Sequence, residues 1–220
     1  MNSLYKVIGL LLALIIFPIA FFTPLIKINI VSEAMSLLGG GQSSLLNEAY
    51  SVKELLELSN GSGAKINFKE VLGKIPEDVK SRVGMPFLLA GIFLALALLT
   101  ALALCVLFLT AKNKKLCLLA AVAGILFTIA ANVAFGRFAA PFLDGTIALG
   151  KLLSESGLLT QFMGGSLGGI FGSILLSLIG NNASIISVKT LELSSAYIFM
   201  LMAYGGAAVW TGAYSLMEMK

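Results

Sequence analysis

The sequence predicts an all-α membrane protein, built as a four-transmembrane-helix bundle with two long extracytoplasmic loops. Hydrophobic residues make up 58% of the chain and charged residues 12%, about half the share of a soluble domain. Mean hydropathy is +0.98. Four apolar runs each reach the ~20 residues that a helix needs to cross a bilayer. We expect a single membrane domain over residues 1–220, with spans at 4–26, 86–110, 116–136 and 196–216.

The first span is predicted over residues 4–26. Its apolar run is longer than the core of a signal peptide, and no small-residue cleavage site follows, so we expect it to be retained. Pro18 and Pro24 lie in its outer half, where proline is expected to kink a helix. Residues 27–31 alternate polar and β-branched side chains, which is typical of a short strand.

The first outer loop, residues 27–85, is predicted to contain an amphipathic helix and short strands. After a glycine break at 39–41, Ser43 or Ser44 can cap a helix that ends at Leu58. One face of that helix carries apolar side chains at helical spacing, namely Leu45, Ala49, Val52 and Leu56. Residues 65–68 alternate like a second strand, and residues 76–78 open a short helix that leads to the second span.

A short basic turn separates the second and third spans. It contains Lys112, Lys114 and Lys115, and it is too short to do anything except reverse the chain. The two spans are therefore predicted to form a helical hairpin. Their many alanines and glycines favour close helix contact, because lipid supplies no hydrophobic force between helices.

The second outer loop, residues 137–195, contains an apolar, charge-free segment at 158–179. This segment is either a fifth span, a re-entrant hairpin or a helix at the membrane surface. Its helix-packing candidates form a double G-x-x-x-G pattern with two serines, namely Gly164, Gly168, Gly172, Ser166 and Ser173. The glycines could equally loosen a re-entrant turn. Residues 186–193 then alternate as a strand, and the last span ends with the interfacial aromatics Trp210 and Tyr214.

Charge predicts the orientation of the four spans. The first outer loop carries seven basic and seven acidic residues, and the second carries three of each, so both are neutral. The net charge of +4 therefore lies on the face that the termini share with Lys112, Lys114 and Lys115. Positive residues in short loops stay in the cytoplasm. We expect cytoplasmic termini, extracytoplasmic long loops and a location in the cell membrane; a fifth span would break this partition.

Reactive motifs are weak in this sequence. Residues 164–168 match G-x-S-x-G, but the chain has no histidine to activate Ser166, so we expect no enzyme activity. Without histidine the usual Cys/His metal site cannot form, and we predict neither metal nor cofactor. Cys105 and Cys117 are expected to pack in the hairpin as thiols. Arg137 and Asp144, at the outer end of the third span, are candidates for a polar pair or for separate interfacial anchors.

The order of these elements is similar in outline to claudin-like tetraspan proteins. Cytoplasmic termini, a large first outer loop, a short basic turn and a strand before the last span carry this resemblance, which is one of topology only. It implies that the outer loops form a small sheet. The tryptophan and paired cysteines of the claudin first loop are absent between Lys27 and Arg82, so no residue role is carried over.

These observations favour a non-enzymatic multi-pass protein that is a structural, accessory or assembly subunit of a membrane complex. Its expected partners are membrane lipid and other membrane subunits or a second copy of itself, with no nucleic acid. The alternative is a transport or channel component in which residues 158–179 form a re-entrant pore segment.

Overall fold

The computed structural model describes residues 3–32, 44–59, 77–110, 113–147 and 186–217. Within these ranges the chain is mainly helical and contains one small sheet. The helices are α1 Ser3–Leu14, α2 Ile16–Phe22, α3 Val52–Ser59, α4 Glu77–Thr110, α5 Lys114–Leu143 and α6 Ser195–Met217. The strands are β1 Pro24–Ser32, β2 Ser44–Ser51 and β3 Ile186–Leu193.

The contacts between residues divide the chain into two compact units. The helix unit comprises Met1–Leu25, Pro86–Phe135 and Leu193–Lys220. The sheet unit comprises Ile26–Met85 and Gly136–Glu192. The single membrane domain over residues 1–220 stays a prediction.

Four helical segments are long and apolar enough to cross a membrane. They cover Ser3–Phe22, Glu77–Thr110, Lys114–Leu143 and Ser195–Met217, with 20, 34, 30 and 23 residues. The prediction of four apolar helices is therefore confirmed, and their length and composition are those of helices that cross a membrane. The last span matches the predicted 196–216 to within one residue at each end.

Proline decides the shape of the first span. The turn at Ile15 separates α1 from α2, and Pro18 follows three residues later. A proline ring collides with the carbonyl four residues before it, which here belongs to Leu14, the last residue of α1. The predicted end at residue 26 was wrong, because the helix stops at Phe22 and Pro24 begins β1. The first position of a strand tolerates proline, since no hydrogen bond from its nitrogen is needed there.

The helices of the central hairpin are longer than predicted. The short helix expected after residues 76–78 and the span expected from residue 86 are one continuous helix, α4, with Pro86 inside it. Glu77 and Asp78 occupy its first turn, where acidic side chains favour the positive end of the helix dipole. Helix α5 continues past residue 136 to Leu143. The apolar run sets the minimum length of a span, whereas helical hydrogen bonding continues beyond it.

The core of the helix unit collects side chains from every helix in that unit. Tyr5, Leu104, Phe108, Met200 and Tyr204 are its largest fully buried members from α1, α4 and α6. Both α1 and α2 pack against α6. The first and last helices of the chain are therefore neighbours.

The sheet has the strand order β2-β1-β3, so strands from both predicted outer loops form one sheet. Strand β3 covers Ile186–Leu193, as predicted, and its first four residues alternate between buried and exposed. The N–H of Ser194 donates to the carbonyl oxygen of Leu25 at 2.7 Å. Because the start of β1 thus meets the end of β3, these neighbouring strands run antiparallel.

The prediction of a helix from Ser43 or Ser44 to Leu58 was wrong in its first half. The structure has strand β2 over Ser44–Ser51 and helix α3 only from Val52. The helix begins there because Ser51 and Glu54 form a capping box: Ser51 Oγ accepts the N–H of Glu54 at 3.3 Å, and the Glu54 carboxylate accepts the N–H of Ser51 at 2.7 Å. The predicted features at 39–41, 65–68 and 158–179 lie outside the described residues.

Candidate functional site: the inner and outer faces of the helix unit

Two glycines on the inner face of the helix unit receive aromatic rings. The ring of Tyr204 on α6 lies against Gly124 of α5, and the ring of Phe108 on α4 lies against Gly9 of α1. A Cβ atom at either glycine would overlap ring carbons. Helices between which there is no hydrophobic force associate through such close packing of small residues. One contact therefore joins α6 to α5, and the other joins α4 to α1.

The hydroxyl groups of Tyr204 and Thr128, near the Gly124 contact, are hydrogen-bonded. Tyr204 donates to the carbonyl oxygen of Ala97, and its hydroxyl lies 3.1 Å from Thr100 Oγ1. Thr128 Oγ1 donates to the carbonyl oxygen of Gly124 at 2.7 Å. Polar groups in an apolar interior are costly unless they are paired in this way. At Gly124 the inner face is thus occupied by a ring, with paired hydroxyls beside it.

Three other glycines of the helix unit face outward and have no packing partner in the described part of the chain. A Cβ at Gly91 of α4, or at Gly205 or Gly212 of α6, would have no other atom within 4 Å. Gly205 and Gly212 are two turns apart and so share one face of α6. Between them Val209 is 72% exposed. We call Gly205, Val209 and Gly212 the outer α6 face.

An aromatic cluster surrounds Lys114 at one end of the helix unit. Lys114 Nζ lies 4.6 Å from the ring centroid of Tyr214 and 5.8 Å from that of Tyr5. The Tyr5 and Tyr214 centroids are 4.7 Å apart, and Phe108 meets Tyr5 edge-on at 5.5 Å. Trp210 Nε1 donates to the carbonyl oxygen of Tyr5 at 3.3 Å. We call Tyr5, Phe108, Lys114, Trp210 and Tyr214 the Lys114 cluster.

The hairpin turn beside this cluster is stabilised from both sides. Asn113 Oδ1 accepts the N–H groups of Lys115 at 3.0 Å and of Leu116 at 3.4 Å, so Asn113 caps α5. Lys6 Nζ lies 3.5 Å from the carbonyl oxygen of Leu109, in the last turn of α4. A cation there offsets the negative end of the helix dipole.

The chain matches no protein-family model, no curated protein and no solved structure. Its functional features are therefore assigned from their own geometry. Among the described residues, no group of three or more His, Cys, Asp or Glu side chains could hold a metal ion. Cys105 and Cys117 are free thiols.

The predicted site residues divide into three groups. The helix-packing candidates Gly164, Gly168, Gly172, Ser166 and Ser173 lie outside the described residues, as does Lys112. Of the other topology anchors, Lys115 is exposed, whereas Lys114, Trp210 and Tyr214 come together in the Lys114 cluster. Their role in topology stays a prediction.

The third group is the candidate polar pair at the end of α5. Arg137 is exposed within the helix, and Asp144 follows the last helical residue. Hydrogen bonds from Thr146 hold the pKa of the Asp144 carboxyl below its ordinary value, and its Oδ1 accepts the Thr146 N–H at 2.9 Å. The structure shows no ion pair between these two described residues, and each has its own local surroundings.

Reasoning from the sequence missed the Lys114 cluster because the lysine was assigned to the turn. Two signals could have found it. Asn113 is a favourable helix cap, which puts Lys114 in the first helical turn. Tyr5 and Tyr214 lie near the terminal ends of the first and last spans, which the predicted four-span topology places at the same membrane level as the tip of the central hairpin.

Proposed function

We propose that this chain is a non-enzymatic multi-pass protein of the cell membrane that acts as a structural, accessory or assembly subunit of a membrane complex. The outward-facing glycines carry this proposal. They lie on helices long enough to span the bilayer, and no other described residue packs against them. A second membrane protein, or a second copy of this chain, would supply the missing contact.

The energetic argument starts from the cost of glycine in a helix. Glycine is less favourable than alanine at an interior helical position by about 1 kcal/mol. At Gly9 and Gly124 this cost is offset, because a ring packs there. At Gly91, Gly205 and Gly212 no contact among the described residues offsets it. A close-packed helix from a partner would offset this cost, because small residues let helix backbones approach each other closely in lipid.

The filled inner face supports a structural role over transport. Rings occupy the recesses at Gly9 and Gly124, and the neighbouring hydroxyls bond to carbonyl groups. Lys114, whose ammonium group is enclosed by rings, lies at the end of the helix unit. The proposed pore segment at 158–179 lies outside the described residues and adds no support to the alternative.

The proposed orientation rests on charge. The termini and the hairpin turn carry the net charge of +4, and the two long loops are neutral. We therefore propose cytoplasmic termini and extracytoplasmic loops. Replacing Lys112 and Lys115 by Gln is expected to weaken this preference, as measured by labelling of cysteines introduced into the loops.

The subunit role is tested by purification of the full chain in native lipid nanodiscs. The wild-type protein is expected to co-purify with other membrane chains or with itself. The double variant Gly205→Leu, Gly212→Leu should lose that association about tenfold or more, because leucine fills the space a partner helix needs. The matched control is Ala103→Leu, an outward-facing small-to-large change on α4. A wild-type chain that is monomeric and alone, or a double variant that keeps its partner, contradicts the proposal.

A further inference from the structure

The Lys114 cluster brings together parts of the chain that are far apart in sequence. Tyr5 comes from α1, Lys114 from the start of α5 and Tyr214 from the end of α6. The Lys114 ammonium nitrogen is buried, although the side chain belongs to the first turn of a helix that begins at the hairpin tip. A lysine at that position could reach water, and here it turns inward instead.

The attraction between an ammonium group and an aromatic face is electrostatic. It is significant within about 6 Å of the ring centroid and stronger when water is excluded. Both tyrosine rings meet that distance, at 4.6 and 5.8 Å. The rings also pack on each other, with centroids 4.7 Å apart. The ammonium group of Lys114 is thus in contact with rings from both α1 and α6.

The neighbouring contacts link the same helices. The indole N–H of Trp210 on α6 donates to the backbone of Tyr5 on α1 at 3.3 Å. Lys6, next to Tyr5, lies 3.5 Å from the last-turn carbonyl of Leu109 on α4. Start of α1, hairpin tip and end of α6 therefore form one connected set of polar and aromatic contacts. The contact of Tyr204 with Gly124, elsewhere in the unit, involves no charge.

We propose that Lys114 is a charge-dependent clamp that closes this end of the helix bundle. Its ammonium group holds the start of α1 against the end of α6, and without that charge the two ends separate more often. The clamp can close only after α6 is in place, since Tyr214 belongs to the last helix. Closure at Lys114 is therefore a late step in assembly of the bundle. This inference does not rest on the proposed subunit role.

The experiment uses the full chain in lipid nanodiscs and three lysine variants. Lys114→Met keeps the length of the side chain and removes the charge, whereas Lys114→Arg keeps the charge. Lys115→Met is the matched control, because Lys115 is the exposed neighbour on the same helical turn. Trp210 is the single tryptophan of the chain, so its quenching by acrylamide reports on the cluster alone.

Lys114→Met is expected to raise quenching of Trp210 several-fold. It should also speed amide hydrogen exchange about tenfold in both 3–9 and 210–217, with exchange around Gly124 unchanged. Lys114→Arg and Lys115→Met should resemble wild type. The proposal is overturned if amide hydrogen exchange in Lys114→Met equals that of the wild-type chain. It is also overturned if Lys115→Met speeds this exchange as much as Lys114→Met does.

A second series separates charge from simple packing. Tyr214→Phe keeps the ring face, and fluorination of that phenylalanine then weakens the attraction to a cation while changing the ring size little. We expect exchange at both ends to rise stepwise with the number of fluorine atoms. If Lys114→Met fails to fold, this series decides the question. Equal exchange throughout the series overturns the clamp.

Discussion

The contacts that stabilise the helix unit internally differ in kind from those that stabilise the sheet unit. In the helix unit the decisive contacts are between side chains far apart in sequence, such as Tyr204 against Gly124 and Phe108 against Gly9. In the sheet unit, strands from two distant segments pair through their backbones. Helix α3, which the structure describes in this unit outside the hairpin, begins with a capping box between Ser51 and Glu54, three residues apart.

This difference is expected if the two kinds of contact stabilise a protein in different solvents, lipid and water. Between helices in lipid, burial of apolar surface gives no net force, so shape and a few hydroxyl bonds decide the packing. Outside lipid, backbone groups must find partners against competition from water, and a sheet or a cap supplies them. Changes in the helix unit should therefore act through volume, and changes in the sheet unit through hydrogen bonds and charge.

The largest effect is expected from Gly124→Leu. Its side chain would occupy the volume of the Tyr204 ring, and overpacking of this kind costs about 3 kcal/mol. The free energy of unfolding in mixed detergent measures the loss. Gly205→Leu is the matched control, since a Cβ there has no other atom within 4 Å. An equal loss in the two variants would mean that the recess at Gly124 does not fit Tyr204 specifically.

A smaller effect is expected from Tyr204→Phe, which keeps the ring and removes the hydroxyl. The bond to Ala97 and the contact with Thr100 Oγ1 at 3.1 Å are lost together. Hydrogen bonds between membrane helices contribute about 0.6 to 1.7 kcal/mol, so we expect a loss of about 1 kcal/mol in the same assay. In a double-mutant cycle with Thr100→Val, the two losses should not be additive. Additive losses would show that the hydroxyls act independently.

In the sheet unit, Ser51→Ala should act on α3 alone. The buried serine caps the helix by accepting the N–H of Glu54, and removal of such a cap costs about 1 kcal/mol. Hydrogen exchange of residues 52–59 should quicken, with exchange in α5 unchanged. Ser51→Thr, which keeps the capping hydroxyl, is the control and should stay close to wild type. Equal exchange in the alanine and threonine variants contradicts a capping role.

The sequence was most informative where one local property decides the structure. The length of the apolar runs predicted four apolar helices, and strict alternation predicted β3 with its bounds, Ile186–Leu193. Residues 44–51 show the limit. Their apolar residues repeat at helical spacing, yet they form a strand beside β1. That choice depends on a partner strand distant in sequence, which a local pattern cannot reveal.

The candidate site was harder to predict, because it consists of contacts between helices. The sequence shows which glycines a span contains, but not which of them meets a ring and which faces outward. Gly124 and Gly205 look alike in sequence, and only the packed structure separates them. Lys114 was recognised as part of a basic turn, whereas its contacts with Tyr5 and Tyr214 depend on which helices are neighbours.

The smallest effect, and the one that tests the role of charge in the sheet unit, concerns Glu54. Two hydrogen bonds from Ser51 lower the pKa of the Glu54 carboxyl below 4.5; the one from the backbone N–H has the larger effect and the one from the side-chain hydroxyl the smaller. A carboxyl whose pKa is lower in the folded state stabilises that state above its unfolded pKa. The stabilisation is therefore constant near neutral pH and is lost as the pH falls through the lowered, folded value.

We expect exchange in α3 to quicken only in that acidic range, after correction for the intrinsic rate of exchange. The Glu54→Gln variant is the control, because its amide can still accept a hydrogen bond but does not titrate. Its exchange should show no such step between about pH 6 and pH 3. A Glu54 carboxyl that titrates at 4.5 or above, as measured by its ¹³C chemical shift, would mean that the capping box does not hold the carboxylate. The cap would then stabilise α3 through the Ser51 hydroxyl alone.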